Sequence, residues 1–299
     1  MKKISLSSLV LLLYWIPLFL CAQNAPLQAQ LEQAVRGKRA DIGIAVIIDG
    51  KDTVTVNNNR RYPLMSVVKF HQALALADHM ARKKQSLETR LPIKKSDLKP
   101  DTYSPLRDKY PQGGFEMSVA ELLAYTLQLS DNNACDILFQ YQGGPKAVND
   151  YMHSLGIRDC SIAVTENTMH LDLDQCYRNW STPLAAAKLV ELFCRDSLFA
   201  DEYKTFIYQT MVQCKTGQDR LAAPLLNKGI TIGHKTGTGD RNAEGRQIGC
   251  NDIGFVFLPS NHSYCIAVFV KDSQENDRTN AQIIADISRL VYEYVVTLD

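Results

Sequence analysis

From residue 67 to residue 77 the chain is apolar at nearly every position, with Lys69, His71 and Gln72 as the polar interruptions. A helix without a polar face is buried on every side, so this stretch predicts a central helix with the other elements packed round it. Upstream, Leu27, Leu31 and Val35 share one helical face over residues 27–35. Residues 42–48 and 53–56 are strand-like runs on either side of Asp49-Gly50, a dipeptide suited to a tight hairpin turn. Downstream, Ser118 and Glu121 have the spacing of a capping box, opening a helix through Leu122, Leu123, Tyr125 and Leu127. Further helical runs cover residues 133–141, 145–155, 182–193 and 201–212. Residues 162–180 show no period and many polar positions; structureless stretches of that length are uncommon and often functional. Strand character returns at 229–235, 252–258 and 264–270. The chain then closes with Ile283, Ile284, Ile287, Leu290, Val291 and Tyr294 at helical spacing. Asp286, Arg289 and Glu293 exclude that last helix as a membrane anchor.

A helix and two strands, then helices, then three strands and a helix predict an α+β fold. Its antiparallel five-stranded sheet, flanked by helices, is assembled from residues 23–62 and 213–299, with an all-helical domain inserted over 63–212. The balance of 33 basic against 32 acidic residues gives no electrostatic case for nucleic acid or an anionic membrane surface. Lys2 and Lys3 precede an apolar core over 9–20, interrupted by Pro17 and followed by Cys21-Ala22-Gln23. That core is too short to span a bilayer and suits an export signal removed after residue 22, which places the mature chain in the periplasm. Leu20 is bulky where a lipid-modification site has a small residue, so a lipoprotein reading through Cys21 is the weaker one. Cys135, Cys160, Cys176, Cys194, Cys214, Cys250 and Cys265 include no C-x-x-C pair and form neither a zinc site nor an even disulfide framework. They read as small buried apolar residues, with one disulfide left open for an exported chain.

The candidate chemistry begins at the head of the central helix. Ser66 and Lys69 are three residues apart, on one helical face, so the lysine amine can reach the serine hydroxyl. A buried lysine is costly unless paired or neutral. The same spacing recurs in Ser96 and Lys99, but in a polar run just before Pro100, where a helix does not continue and a solvated loop is expected. Ser130-Asp131-Asn132 lies between two helical runs, and Lys235-Thr236-Gly237-Thr238 ends a strand, with Gly237 leaving room for a ligand against the backbone. S-x-x-K, S-D-N and K-T-G in that order are the signature of class A β-lactamases and penicillin-binding proteins. The chain resembles a class A serine β-lactamase over nearly all of its mature length, in a divergent branch with extended-spectrum enzymes and cephalosporinases. Lys215-Thr216-Gly217 repeats the last motif without a preceding strand and reads as a decoy, while Arg220 beside it stands where some branches place a carboxylate-binding arginine.

The resemblance implies roles residue by residue. Ser66 is the nucleophile, and the backbone N–H groups of Ser66 and Thr238 form the oxyanion hole. Lys69, or Glu166 through a water, takes the first proton, and Ser130 relays one to the lactam nitrogen. Asn132 binds the substrate's side-chain amide; Lys235, Thr236, Gly237, Thr238 and Arg220 form the carboxylate end of the site. Glu166 activates the deacylating water, which separates a β-lactamase from a D,D-peptidase or a non-catalytic drug-binding sensor domain. His170 replaces the asparagine that helps to hold this water. Val164 and Asn179 stand where the family has an arginine and an aspartate, so the ion pair closing the 162–180 loop is absent. A long connection over 240–251 and this altered loop suggest a wide cleft that favours cephalosporins. The six histidines show no H-x-H or H-E-x-x-H spacing; neither metal nor cofactor is expected, the ligands are β-lactams, and the chain is expected to be a monomer.

Overall fold

The computed structural model describes residues 25–195 and 198–298, so the expected export signal over 1–22 lies outside the described residues. The chain enters through α1 (Ala25–Val35), then β1 (Asp41–Ile48) and β2 (Asp52–Val56). Asp49 and Gly50 both take positive φ, 51° and 63°, which turns the two strands into the expected hairpin. After β3 (Tyr62–Pro63) comes α2 (Val68–Lys83), buried at every residue from Val68 to Ala77. It is the central helix that its all-round apolar sequence predicts.

The middle of the chain is mainly helical: α3 (Pro105–Lys109), α4 (Val119–Gln128), α5 (Asn132–Gln142), α6 (Gly144–Ser154), α7 (Glu166–Leu171), α8 (Pro183–Arg195) and α9 (Asp201–Val212). The Ser118–Glu121 capping box forms as expected, Glu121 N donating to Ser118 Oγ at 3.2 Å and Ser118 N to Glu121 Oε2 at 2.9 Å. Four short strands, too brief for a pattern in sequence, brace these helices: β4 (Arg90–Ile93) pairs with β5 (Phe115–Ser118), and β7 (Trp180–Ser181) lies between β3 and β6 (Cys160–Ser161).

β8 (Thr231–Thr238), β9 (Gln247–Phe257) and β10 (Ser263–Ser273) complete a five-stranded antiparallel sheet of order β2-β1-β10-β9-β8, and α10 (Asp277–Val296) covers it. Alternation sorts its side chains. Ile42, Ile44, Val46, Ile266 and Val268 meet Leu27, Leu31, Ile284 and Ile287 on one face, while Ala45, Ile47, Phe255, Ala267 and Phe269 join the core of the central helix on the other. The connection expected over 240–251 is shorter, because β9 begins at Gln247. The polar run there looks like loop in sequence, but Asn251 is buried and gives its amide to the Pro63 carbonyl at 2.8 Å, while Gln247 reaches the Gly239 carbonyl at 3.2 Å. Among the described residues no helix is long and apolar enough to cross a membrane.

Candidate active site

Ser66 lies in a 3-10 turn, Met65–Val67, immediately ahead of α2. Lys69, one turn on and fully buried, sends its amine to Ser66 Oγ at 2.8 Å, the Ser130 carbonyl at 2.8 Å, Asn132 Oδ1 at 2.6 Å and Glu166 Oε1 at 3.0 Å. With Ser130 Oγ at 3.4 Å, five oxygens surround an ammonium that has three protons, so one amine links the serine, the S-D-N turn and the glutamate. Ser130 is held in the left-handed region at φ 60°. Its neighbour Asp131 fixes that turn by accepting from Leu106 N at 2.6 Å, Ala134 N at 2.8 Å and the Ser104 hydroxyl; burial raises the Asp131 carboxyl. Lys235 donates to Ser130 Oγ at 2.9 Å, and Lys69 approaches the same oxygen at 3.4 Å. Burial first, then repulsion from Lys69, pushes the Lys235 amine down to about 7. Asn132 Nδ2 donates to Thr102 Oγ1 at 2.7 Å, so both ends of this amide have protein partners.

The 162–180 stretch is not structureless. It contains α7 and a 3-10 turn, Leu173–Arg178, and side chains rather than apolar periodicity hold it in place. Thr165 caps α7 by accepting from Thr168 N at 3.3 Å. Asp136, from α5, takes the N–H groups of Glu166 and Asn167 at 2.8 Å each, which fixes the glutamate's backbone. Burial and the nearby Glu166 raise the Asp136 carboxyl to about 6. Where the ion pair is missing, the buried Asn179 accepts from Ala163 N at 2.8 Å and Val164 N at 3.0 Å and donates to the Val164 carbonyl at 2.9 Å. A neutral amide closes the loop in place of two charges.

The third wall is the end of β8. A Cβ added to Gly237 would lie 2.6 Å from the Leu64 carbonyl and 3.2 Å from Ser66 N, so only glycine lets the strand pass this close to the serine turn. Arg220, nearly buried behind the strand, donates to the carbonyls of Gly237 at 3.1 Å and Asn251 at 3.0 Å and to Thr238 Oγ1 at 2.7 Å. The supposed decoy supplies a contact: Thr216 Oγ1 lies 2.6 Å from Thr236 Oγ1. His234, on the same strand, contacts both carboxylate oxygens of Asp252 at 3.0 Å; burial opposes its charge, but Asp252 outweighs it and raises His234 to about 10. His71 is buried and its ring contacts the Val67 carbonyl, in keeping with a structural role.

Ser66, Asn132, Glu166, His170 and Thr238 line one small cavity of about 80 Å³. His170 is exposed on its rim. Lys235, Thr236 and Arg220 stand behind it at the β8 side. Ser96 and Lys99 are exposed and far from this group in role, as their surroundings predict. Among the described residues, no cluster of three or more His, Cys, Asp or Glu side chains is placed to hold a metal. Asp136 and Thr216 are the contributors that sequence reading missed: the first lies inside an ordinary helical run, and the second is visible only as part of a motif lacking its strand.

A serine-and-lysine turn, an S-D-N turn and a K-T-G strand, with Glu166 held against them between a sheet and a helical layer, match the class A β-lactamase architecture. The chain belongs to the β-lactamase enzyme family, whose pattern matches residues 26–295; it is a class A β-lactamase and hydrolyses β-lactams. It is 45% identical over 272 residues to a β-lactamase of Bacteroides uniformis, covering 91% of this chain and 92% of the relative. The structure of a class A β-lactamase from Bacteroides cellulosilyticus DSM 14838 superposes with a TM-score of 0.88 at 43% identity, covering 93% of this chain and 99% of that one. The TLA-1 extended-spectrum β-lactamase gives the same TM-score, 0.88, at 39% identity, covering 91% and 98%.

Proposed function

We propose that this enzyme opens β-lactams through an acyl-enzyme on Ser66 and releases it with water activated by Glu166. The observation that carries the reading is the Lys69 amine, in contact with Ser66 Oγ at 2.8 Å and Glu166 Oε1 at 3.0 Å. Ser66 attacks the lactam carbonyl and its proton passes by way of Lys69 to Glu166. The developing oxyanion is received by the backbone N–H groups of Ser66 and Thr238; losing one such donor elsewhere costs about 3–4 kcal/mol. Ser130, flanked by Lys69 and Lys235, gives its proton to the departing lactam nitrogen and regains one from Lys69, which recovers its own from Glu166 and leaves that carboxylate free to act as a base. Lys235, with Thr236 and Arg220 around it, binds the substrate carboxylate, whose charge restores the protonated amine that burial disfavours. Asn132 meets the side-chain amide of the substrate by exchanging its bond to Thr102. Glu166 then takes a proton from water in the cavity beside His170, and the hydroxide attacks the ester; general-base help of this kind is worth about 10²–10⁴ in rate.

The test is a chromogenic cephalosporin given to the wild type and to Glu166→Ala, with turnover followed by absorbance and the protein by intact mass. Rapid turnover in the first and a trapped Ser66 adduct in the second support the scheme; a stable adduct in both overturns it. A preference for cephalosporins over penicillins belongs to the same reading. It is supported by the extended-spectrum name of the TLA-1 relative and by a loop closed through a neutral Asn179. Cephalosporin kcat/KM well below the penicillin value removes it. Export with cleavage after residue 22 is checked by the N-terminal residue of protein recovered from the periplasm, and the monomer by its elution mass.

A further inference from the structure

The described cysteines are all free, but they are not equivalent. Cys160, Cys176 and Cys214 donate to the carbonyls of Ile157, Met169 and Thr216. Cys194 and Cys265 instead face one shared cavity. Cys194 is the penultimate residue of α8, and Cys265 is the third of β10; together they line a cavity of about 70 Å³ with Gly50, Arg195 and Phe255.

Both backbones are held. Cys265 is opposite Ile47 of β1 and Phe255 of β9, so ladders on both sides fix it. The end of α8 is anchored by the Arg195 guanidinium on the Asp49 carbonyl and by Lys204, which donates to the Cys194 carbonyl at 3.1 Å. Gly50 leaves the space that Arg195 occupies, since a Cβ there would come within 1.9 Å of its Cζ. Two independently anchored elements therefore present both thiols to the same cavity. Cys265 is buried, whereas Cys194 is only partly covered, so an oxidant meets Cys194 first. The neighbouring Cys194 thiol and burial raise the Cys265 thiol well above its ordinary value, which keeps it protonated until that encounter.

We propose that Cys194 and Cys265 are a redox pair that closes into a disulfide when the exported chain meets a disulfide oxidant, stapling α8 to the sheet. The Cys194 thiolate attacks one sulfur of the oxidant and expels the other as a thiolate. Cys265, losing its proton, then attacks Cys194 Sγ and expels the second. Two protein thiols lose two electrons and two protons, and one oxidant disulfide becomes two thiols. The staple joins a helix of the 63–212 segment to a strand of the sheet and closes a loop of roughly 70 residues, long enough for a sizeable restriction of the unfolded chain. Cys265 lies four rungs of the ladder from Phe269, which faces Asn251 at the active-site end, or about 13 Å at strand rise. Catalytic geometry is left in place.

Purified protein is equilibrated with oxidised glutathione over a range of ratios to reduced glutathione, alkylated, and mapped as peptides without reduction. The expected result is one peptide pair joined through Cys194 and Cys265, a mass lower by two hydrogens, and a Tm raised by about 5–10 °C with kcat/KM unchanged. Cys194→Ser, at the partly exposed position, abolishes both the bridge and the Tm rise. Alkylation of both cysteines at every ratio overturns the proposal, as does a persistent glutathione adduct on Cys194 without closure, or a bridge to any other cysteine. The wild-type peptide map decides the matter even where a serine variant folds poorly.

Discussion

Lys69 is reached from one side by Ser66 and from the other by Glu166, and the two regions that deliver these groups are built differently. Ser66 is carried on a turn fused to α2, whose buried face runs unbroken from Val68 to Ala77. Glu166 is carried on a six-residue helix, α7, held by Asp136, Thr165 and Asn179 through individual hydrogen bonds and by a small apolar cluster of Val164, Met169 and Cys176 with Met65 and Ile248. A packed helix spreads its positional accuracy over many dispersion contacts. A capped loop concentrates it in a few polar atoms, each expensive to lose when buried. The Ser66 half of the site should therefore tolerate surface changes well, and the Glu166 half should fail at single residues.

The largest effect is expected where the two halves meet. Replacing Lys69→Met removes the amine that Ser66 and Glu166 share and leaves Glu166 buried without its cation. Turnover should fall on the order of 10⁴-fold, and stability by about 3–5 kcal/mol, the usual consequence of breaking a buried pair from one side. Chemical denaturation with steady-state kinetics reads both. A Lys69→Met protein of wild-type stability would mean that Glu166 finds its compensation elsewhere.

Next comes the closure of the loop. Asn179→Asp restores the family's residue without its arginine, since Val164 supplies no charge. The variant loses the donor to the Val164 carbonyl and buries an unpaired carboxylate, so a loss of about 2–4 kcal/mol near neutral pH is expected. Such a carboxyl has a raised pKa in the folded state, so the deficit should shrink as pH falls and the acid regains a proton to donate. A deficit that grows on acidification would place a cation near the site.

These examples separate what was legible from what was not. The central helix, the Asp49-Gly50 hairpin, the capping box at Ser118 and the sheet built from both ends of the chain all follow from periodicity or local turn chemistry. The motifs at Ser66, Ser130 and Lys235 were visible as spacing, and the fold brings them within hydrogen-bond distance. The Glu166 segment was not legible as structure, because a helix of six residues capped from another element leaves no period in its own sequence. The start of β9 was hidden by buried polar residues whose partners lie far along the chain, as with Asn251 and Pro63. Asp136 and Thr216 act only through neighbours that sequence does not identify.

Asp136 offers a finer test of the capped half. Asp136→Asn keeps one acceptor and loses the other, so Glu166 should be positioned less well. Deacylation should slow about 10-fold while the acylation burst is kept, a split that a general loss of fold would not give. The sign of the pH effect follows from the raised value of about 6. Because the folded carboxyl holds its proton more tightly than the unfolded one, its contribution to stability is full below the ordinary aspartate range and is lost as pH rises through about 6. Wild type should therefore lose stability relative to Asp136→Asn between about pH 4 and 6. Parallel stability curves would show that the two backbone N–H bonds cancel the effects of burial and of Glu166.

The smallest expected effect lies on the packed half, at Thr216. Its hydroxyl, 2.6 Å from Thr236 Oγ1, fixes the direction in which the Thr236 hydroxyl can donate its proton, which in the proposed scheme goes to the substrate carboxylate. Thr216→Val keeps the volume and removes only that bond, a change of about 0.5–1.5 kcal/mol. If Thr216 acts by orienting Thr236 at the binding step, KM should rise about 3–10-fold with kcat nearly unchanged. A fall in kcat at constant KM would instead place the Thr216–Thr236 contact in the transition state, and the packed half of the site would then share the single-residue fragility of the loop opposite.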